Sequence, residues 1–187
     1  MEQGASMPEF NWISDEIFTV SELCGPDECE DAIRLSESLG FDAAPIQTFL
    51  GPALDKKVRS NSRVILDDPD RAQRLWERAR LYVPEKLAGH RALGVNERFR
   101  FYRYDPGQTF RWHRDGYFQR PDGQRSRLTF MVYLNDDFTG GETRFERAVI
   151  QPRKGMALFF VHQLLHEGAA VRSGRKYVMR TDVMYSG

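Results

Sequence analysis

The sequence predicts a mainly β fold with N-terminal helices, its core a jelly roll of the double-stranded β-helix kind. Three observations predict it. From residue 97 the apolar pattern changes to a period of two, as half-buried strands require. Seven or eight short strand-like runs, separated by turn signals, then fit into about ninety residues, the density of a sandwich or jelly roll. Ahead of them, two stretches repeat their apolar residues at helical spacing. At 187 residues, with 41% hydrophobic residues, 13 Phe, 7 Tyr and 3 Trp, the chain suits one domain, 1–187, with a large aromatic core. About 1–96 would support that core and about 97–187 would form it.

In chain order, residues 1–9 read as a loose leader. Trp12 to Val20 reads as an edge strand or a strand entering a turn. Gly25-Pro26-Asp27 punctuates the chain and offers Asp27 as the cap of a helix over about 28–39, stopped by Gly40. Two prolines and two glycines in or beside Phe41–Lys57 predict loop. Arg59 to Leu66 is a polar approach into a short strand. Asp67-Asp68-Pro69-Asp70 then opens a second helix, with Ala72, Leu75, Trp76, Ala79 and Tyr82 on one face, ending before Pro84. Both helices are expected to brace one side of the β core.

In the C-terminal half, Arg98–Tyr104 alternates charge with aromatic residues, as a strand with one wet face does. Asp105-Pro106-Gly107 turns the chain into a strand over Thr109–Asp115. Gly116–Arg125 is a polar loop of the kind that carries binding residues. Leu128–Leu134 has Leu128, Phe130, Val132 and Leu134 on one face and Thr129, Met131, Tyr133 and Asn135 on the other. Met156–Val161 is apolar throughout, which predicts a strand buried on both faces, and Lys176–Tyr185 is the last strand.

Charge excludes some functions. Lys+Arg and Asp+Glu balance at 27 each, which argues against a general nucleic-acid binder. Cys24 and Cys29 lack the second pair a zinc site needs. No signal peptide, membrane span or lipidation motif is visible, so a soluble cytoplasmic protein is expected.

The chemistry concentrates at His113-Arg114-Asp115. Alternate strand residues share a face, so His113 and Asp115 can hold one metal ion together. A third ligand from a distant strand completes two imidazoles and one carboxylate with open positions, the ligand set of non-haem Fe(II) oxygenases. His166 and His162 compete for that third place, and the His166-Glu-Gly context favours His166. His162 reads as a core or supporting histidine, and His90 as structural or exposed. On the last strand, Lys176, Val178, Arg180 and Asp182 share a face while Arg175 points away. Arg63, Arg111 and Trp112 are candidates for the mouth of the site. Gly140 and Gly141 read as turn residues.

Taken in order, Tyr104-Asp-Pro-Gly, His113-Arg-Asp115, Tyr133-Leu-Asn135, Gly140-Gly-Glu-Thr143, His166-Glu-Gly168 and Gly174-Arg-Lys176 resemble the 2-oxoglutarate- and Fe(II)-dependent dioxygenases. Within them, they resemble the prolyl 4-hydroxylase-like branch. The resemblance covers roughly residues 98–186 and implies a double-stranded β-helix with N-terminal bracing helices. It implies His113, Asp115 and His166 as catalytic iron ligands. Lys176 would take the distal carboxylate of 2-oxoglutarate, with Arg180 as the competing anchor. Tyr133 would add a hydrogen bond and Tyr104 would line the same pocket; Thr129 lies on the strand face of Tyr133. If Lys176 is the anchor, Arg180 and Asp182 are expected to face the substrate. The implied cofactors are Fe(II), 2-oxoglutarate and O2, with ascorbate as a further candidate. The implied reaction hydroxylates a C–H bond while 2-oxoglutarate is decarboxylated to succinate. The substrate is a peptidyl proline on the family pattern, or a free amino acid or other small molecule; neither nucleic acid nor membrane is expected as a partner. The rival class is a non-catalytic metal-binding jelly roll. A cupin-type site would prefer a second His where Asp115 stands, and no ligand or basic anchor is missing.

Overall fold

The period-two stretches all fold as strands, and their two faces separate into two cores. The computed structural model describes residues 8–49 and 51–187, so most of the expected leader lies outside the described residues. The principal elements are β1 (Phe10–Ser14), β2 (Ile17–Val20), α1 (Pro26–Leu39), β3 (Ser62–Asp67), α2 (Pro69–Ala79), β4 (His90–Val95) and β5 (Arg98–Tyr104). Then follow β6 (Phe110–His113), β7 (Arg125–Tyr133), β8 (Thr143–Phe145), β9 (Ala157–Val161), β10 (His166–Gly168) and β11 (Lys176–Tyr185).

A large antiparallel sheet runs β1-β2-β9-β7-β11-β5-β3, with β4 pairing the end of β11. A smaller sheet runs β6-β10-β8 and ends on Val149–Ile150. Between the sheets lie Tyr102, Tyr104, Met131, Tyr133, Leu158 and Phe160 from the large sheet, meeting Phe145 and Ile150 from the small one. The opposite face of the large sheet buries Phe99, Phe101, Leu128, Phe130, Val132 and Phe159 against Cys29 and Ala32 of α1 and Ala72, Leu75 and Ala79 of α2. This is the jelly roll with bracing helices, and β9 is buried on both faces as its unbroken apolar run requires.

Several boundaries differ from the sequence expectation. Asp27 is not the cap of α1: the helix begins at Pro26, whose fixed φ suits the first helical position, and Gly25 is the capping residue. Gly40 does end the helix. Asp68 caps α2 by accepting the Arg71 N–H at 2.9 Å, but the helix stops at Ala79 and leaves Tyr82 beyond it. The segment 41–57 is less irregular than expected, with Asp42–Ala43 added to the edge of the large sheet and Ile46–Thr48 paired to Gly51–Ala53. Phe10–Val20 is a hairpin whose first strand is the sheet edge. Ten strands, not seven or eight, follow residue 97, because brief pairings such as Thr139–Gly140 with Val171–Ser173 carry no apolar pattern.

The helices are tied down by ions as well as apolar contacts. Arg78 of α2 grips Glu28 of α1 through two bonds of 2.7 Å. Glu37, near the end of α1, takes Arg103 of β5 at 2.9 Å and the Tyr177 hydroxyl of β11. The helical layer therefore fixes the strands whose other faces line the interior.

Candidate metal centre

β6 and β10 pair side by side with His113 opposite His166, so register alone brings two imidazoles together. A bulge between Phe110 and His113 breaks the period of two and stacks the Phe110 ring on His113, with centroids 3.4 Å apart. β6 ends at His113, so Asp115 is not placed by strand alternation. Its backbone N–H donates to the His162 carbonyl at 3.0 Å, and this holds the residue beside the two rings. One ligand atom from each of His113, Asp115 and His166 lies within 4.8 Å of the others. His113 Nε2 is 3.8 Å from Asp115 Oδ1, and His166 Nε2 is 3.8 Å from Asp115 Oδ2.

Both imidazoles are held in the form a metal needs. His113 Nδ1 lies 2.7 Å from the Arg111 carbonyl and His166 Nδ1 lies 2.9 Å from the Leu164 carbonyl. A carbonyl only accepts, so Nδ1 carries the proton in each ring and Nε2 presents its lone pair to the centre. Burial, with His166 adjacent, pushes the His113 imidazole down to about 3, which keeps it neutral. Burial alone would push Asp115 up. Arg180 beside it and the Thr129 hydroxyl hold it below the carboxylate range instead.

Asp115 is anchored by a chain of hydrogen bonds that sequence reasoning missed. Thr129 Oγ1 donates to Asp115 Oδ2 at 2.6 Å and lies 2.9 Å from His162 Nδ1. With its own proton committed, Thr129 must accept the Nδ1–H of His162. Burial keeps that ring neutral, so its Nε2 accepts from the Ser126 hydroxyl at 2.9 Å. Ser126 Oγ in turn accepts the Phe118 N–H at 2.8 Å. His162 is thus a supporting histidine, and it links Asp115 to the start of the 116–125 loop. That loop is pinned by further bonds of its own, including Arg120 N–H to the Gln124 carbonyl at 2.8 Å.

Lys176 and Arg180 share a strand face but not a role. Arg180 Nη2 lies 3.3 Å from Asp115 Oδ2 and 3.0 Å from Asp182 Oδ1, and these carboxylates raise its already high affinity for the proton despite burial. Lys176 is 2% exposed, and among the described residues no carboxylate lies within ion-pair distance of it. Its Nζ donates to the Gly141 carbonyl at 2.6 Å and sits 5.2 Å and 5.3 Å from the ring centres of Tyr104 and Tyr133. Burial pushes this ammonium down to about 7. The Tyr133 hydroxyl lies 2.6 Å from Thr143 Oγ1, and burial pushes both Tyr104 and Tyr133 phenols up. The Lys176 amine thus sits buried beside two tyrosine rings, near the paired hydroxyls of Tyr133 and Thr143.

A cavity of about 340 Å3 opens over His113 and Asp115. Arg63 lines it as expected; Arg111 and Trp112 do not, because the bulge turns them to solvent, where Trp112 is 44% exposed. Arg180 faces the cavity, but Asp182 lies behind it, fully buried against Arg180 and Arg100. Arg59, Arg100 and Tyr102 also line the cavity and were not foreseen. The expectation of a wet face on β5 is corrected accordingly: Arg100, Tyr102 and Tyr104 point into the barrel. Alternation back from Tyr104 would have found Arg100, whereas Arg59 gave no signal. His90 is structural, its Nδ1 2.9 Å from the Ser186 carbonyl.

Comparisons with known proteins agree with this arrangement. The family model of the 2OG-Fe(II) oxygenase superfamily matches residues 99–181, which span both ligand strands and Lys176. Prolyl 4-hydroxylase 1 of Arabidopsis thaliana is 24% identical over 203 residues, covering 93% of this chain and 70% of that protein. The viral collagen prolyl hydroxylase of Paramecium Bursaria Chlorella virus-1, solved as its 2OG complex, superposes with a TM-score of 0.66 at 21% identity, over 91% of this chain and 97% of that one. A prolyl hydroxylase of Trichoplax adhaerens, solved with a hypoxia inducible factor peptide fragment, superposes with a TM-score of 0.66 at 16% identity, over 91% and 84%. Pattern, fold and triad together are similar to those of the 2OG-Fe(II) oxygenase superfamily, whose model covers the part of the chain that carries the site.

Proposed function

We propose that this protein is an Fe(II)- and 2-oxoglutarate-dependent dioxygenase that hydroxylates a C–H bond and releases succinate, with 97–187 as its catalytic core and 1–96 as support. The observation that carries the reading is a pairing: two Nε2 atoms and a carboxylate converge within 4.8 Å, while the buried Lys176 has no carboxylate within ion-pair distance among the described residues. The donor set fits Fe(II), with two imidazoles, one hard carboxylate, and the opposite side facing a cavity. Bound there, Fe(II) would supply the redox chemistry and the open positions at which 2-oxoglutarate and O2 react.

The remaining roles belong to this chain's own residues. Thr129 fixes Asp115 Oδ2, and Arg180 keeps that carboxylate ionised. The carbonyls of Arg111 and Leu164 keep the ring protons of His113 and His166 on Nδ1. Lys176 would neutralise the distal carboxylate of 2-oxoglutarate, with the Tyr133 and Thr143 hydroxyls as neighbouring donors and Tyr104 as wall. Phe110 stacks on His113 and Phe160 packs edge-on against His166, ring centres 3.4 Å and 4.5 Å apart, which restrains both imidazoles. Peptidyl proline is the substrate that the names of the relatives support. Purified protein reconstituted with Fe(II) without oxygen, then exposed to air with 2-oxoglutarate, is expected to form succinate, and His113→Ala is expected to form none. Absence of turnover together with failure to bind 2-oxoglutarate would instead favour a metal-binding jelly roll without activity.

A further inference from the structure

The cavity above the triad carries far more positive charge than the reaction's own ligands need. Five arginines line it, Arg59, Arg63, Arg100, Arg114 and Arg180, against the single carboxylate of Asp115. Asp182, behind the wall, takes Arg180 at 3.0 Å and Arg100 at 3.5 Å. Arg114 reaches away to the Gln163 carbonyl. Among the described residues, Arg59 and Arg63 have no carboxylate within ion-pair distance.

Arg59 is the telling one. It is 6% exposed, and its guanidinium lies over the rings of Phe110 and Tyr102, 4.2 Å and 4.7 Å from their centres. Nε donates to Asn61 Oδ1 at 2.8 Å and Nη1 reaches the Pro45 carbonyl at 3.4 Å, but Nη2 has no hydrogen-bond partner among the described residues. A buried N–H of a charged group left bare is costly, and like charges gathered at one wall add repulsion. Arg63 shows that repulsion: burial, with Arg59, Arg100 and Arg180 close by, lowers its hold on its proton. The Tyr102 phenol, which burial alone would push up, is held below its ordinary value by Arg180, Arg59 and Arg100. What relieves such a wall is an anion, and the planar fork of arginine matches a carboxylate. On this reading 2-oxoglutarate does not supply it: its distal carboxylate would go to Lys176, which does not line the cavity, and its other carboxylate would be taken up by the metal. About 340 Å3 suits a small molecule or a short side chain.

We propose that the substrate enters this cavity with a carboxylate, which Arg59 and Arg63 receive, so that the enzyme oxidises a carbon close to an acidic group. The inference rests on the dioxygenase reading above and narrows its substrate. The test uses full-length protein loaded with Co(II) and saturated with N-oxalylglycine, so that the Lys176 subsite is filled. Calorimetry then compares N-acetyl-L-proline, N-acetyl-L-prolinamide and N-acetyl-L-glutamyl-L-prolinamide. At least one acid is expected to bind about tenfold or more tightly than the neutral amide, the worth of a charge-assisted contact. Preference for the first acid assigns an α-carboxylate, and preference for the second assigns an acidic peptide side chain. The advantage should shrink in 0.5 M salt and vanish in Arg63→Gln, a half-buried position, with folding of the variant checked by its thermal unfolding. Equal binding of acids and amide, no binding by any of them, or an advantage that survives Arg63→Gln overturns the proposal. Succinate formation by the wild-type protein, assayed on the same preparation without any of these probes, shows separately whether the dioxygenase reading stands.

Discussion

Lys176 is a lysine buried among tyrosines without a carboxylate beside it, and burial pushes its ammonium down to about 7 from an ordinary value of 10.5. Between these values the unfolded chain holds a proton that the folded protein has released. Unfolding therefore takes up protons, and the contribution of Lys176 to stability rises with pH across that window. It is complete above the upper value and is lost as pH falls towards 7. Lys176→Met removes the group, so the stability of the wild type relative to the variant should rise from pH 7.5 to pH 9.5 in urea unfolding. The same substitution should cost about 100-fold in 2-oxoglutarate affinity, because it removes the cation proposed for the distal carboxylate. An unchanged difference in stability between the two pH values would remove the argument for a strained ammonium. Strand alternation ranked Lys176 and Arg180 together, because they share a face. What separates them is the tether of Arg180 to Asp115 and Asp182, which no spacing in the sequence encodes.

The crossing at Thr139–Gly140 and Val171–Ser173 sets where Lys176 finds its carbonyl partner. Gly140 has φ +75°, and a Cβ there would meet the Ala170 carbonyl oxygen at 2.4 Å. Gly140→Ala should cost about 1–3 kcal/mol by urea unfolding and weaken 2-oxoglutarate binding in the protein that still folds. A cost within experimental error would mean that the crossing tolerates a shift. The sequence marks Gly140 and Gly141 as turn residues, but the closeness of the Ala170 backbone is a tertiary fact. The same division runs through the elements. β7, β9 and β11 were legible because burial on one or both faces writes itself into side-chain polarity. The bulge in β6 was not, because Phe110, Arg111 and Trp112 offer no polarity cue to where the register slips. Nor were the brief strands at 42–53, where prolines and glycines hide paired backbone.

Across the whole molecule, the large sheet has a core on each side. One lies under the helices and carries stability, and the other lies between the sheets and surrounds the site. β2, β3 and β4 from the N-terminal half join the same sheet as β7 and β11, so the halves that composition separates at about residue 96 share one hydrogen-bonded surface. The metal triad was legible from His113-Arg-Asp115 and His166-Glu-Gly168, since ligand types and order survive without any structure. The cavity wall was not, because Arg59, Arg63, Arg100 and Arg180 come from three strands and a loop that only the closed sheet brings together. The most direct test of the central claim is mass spectrometry of succinate formed from 2-oxoglutarate by the Fe(II)-loaded protein under 18O2. A dioxygenase places one labelled oxygen atom in each succinate, and this label should disappear with the succinate itself in His113→Ala. Unlabelled succinate, or succinate formed equally without the His113 ligand, would contradict the account.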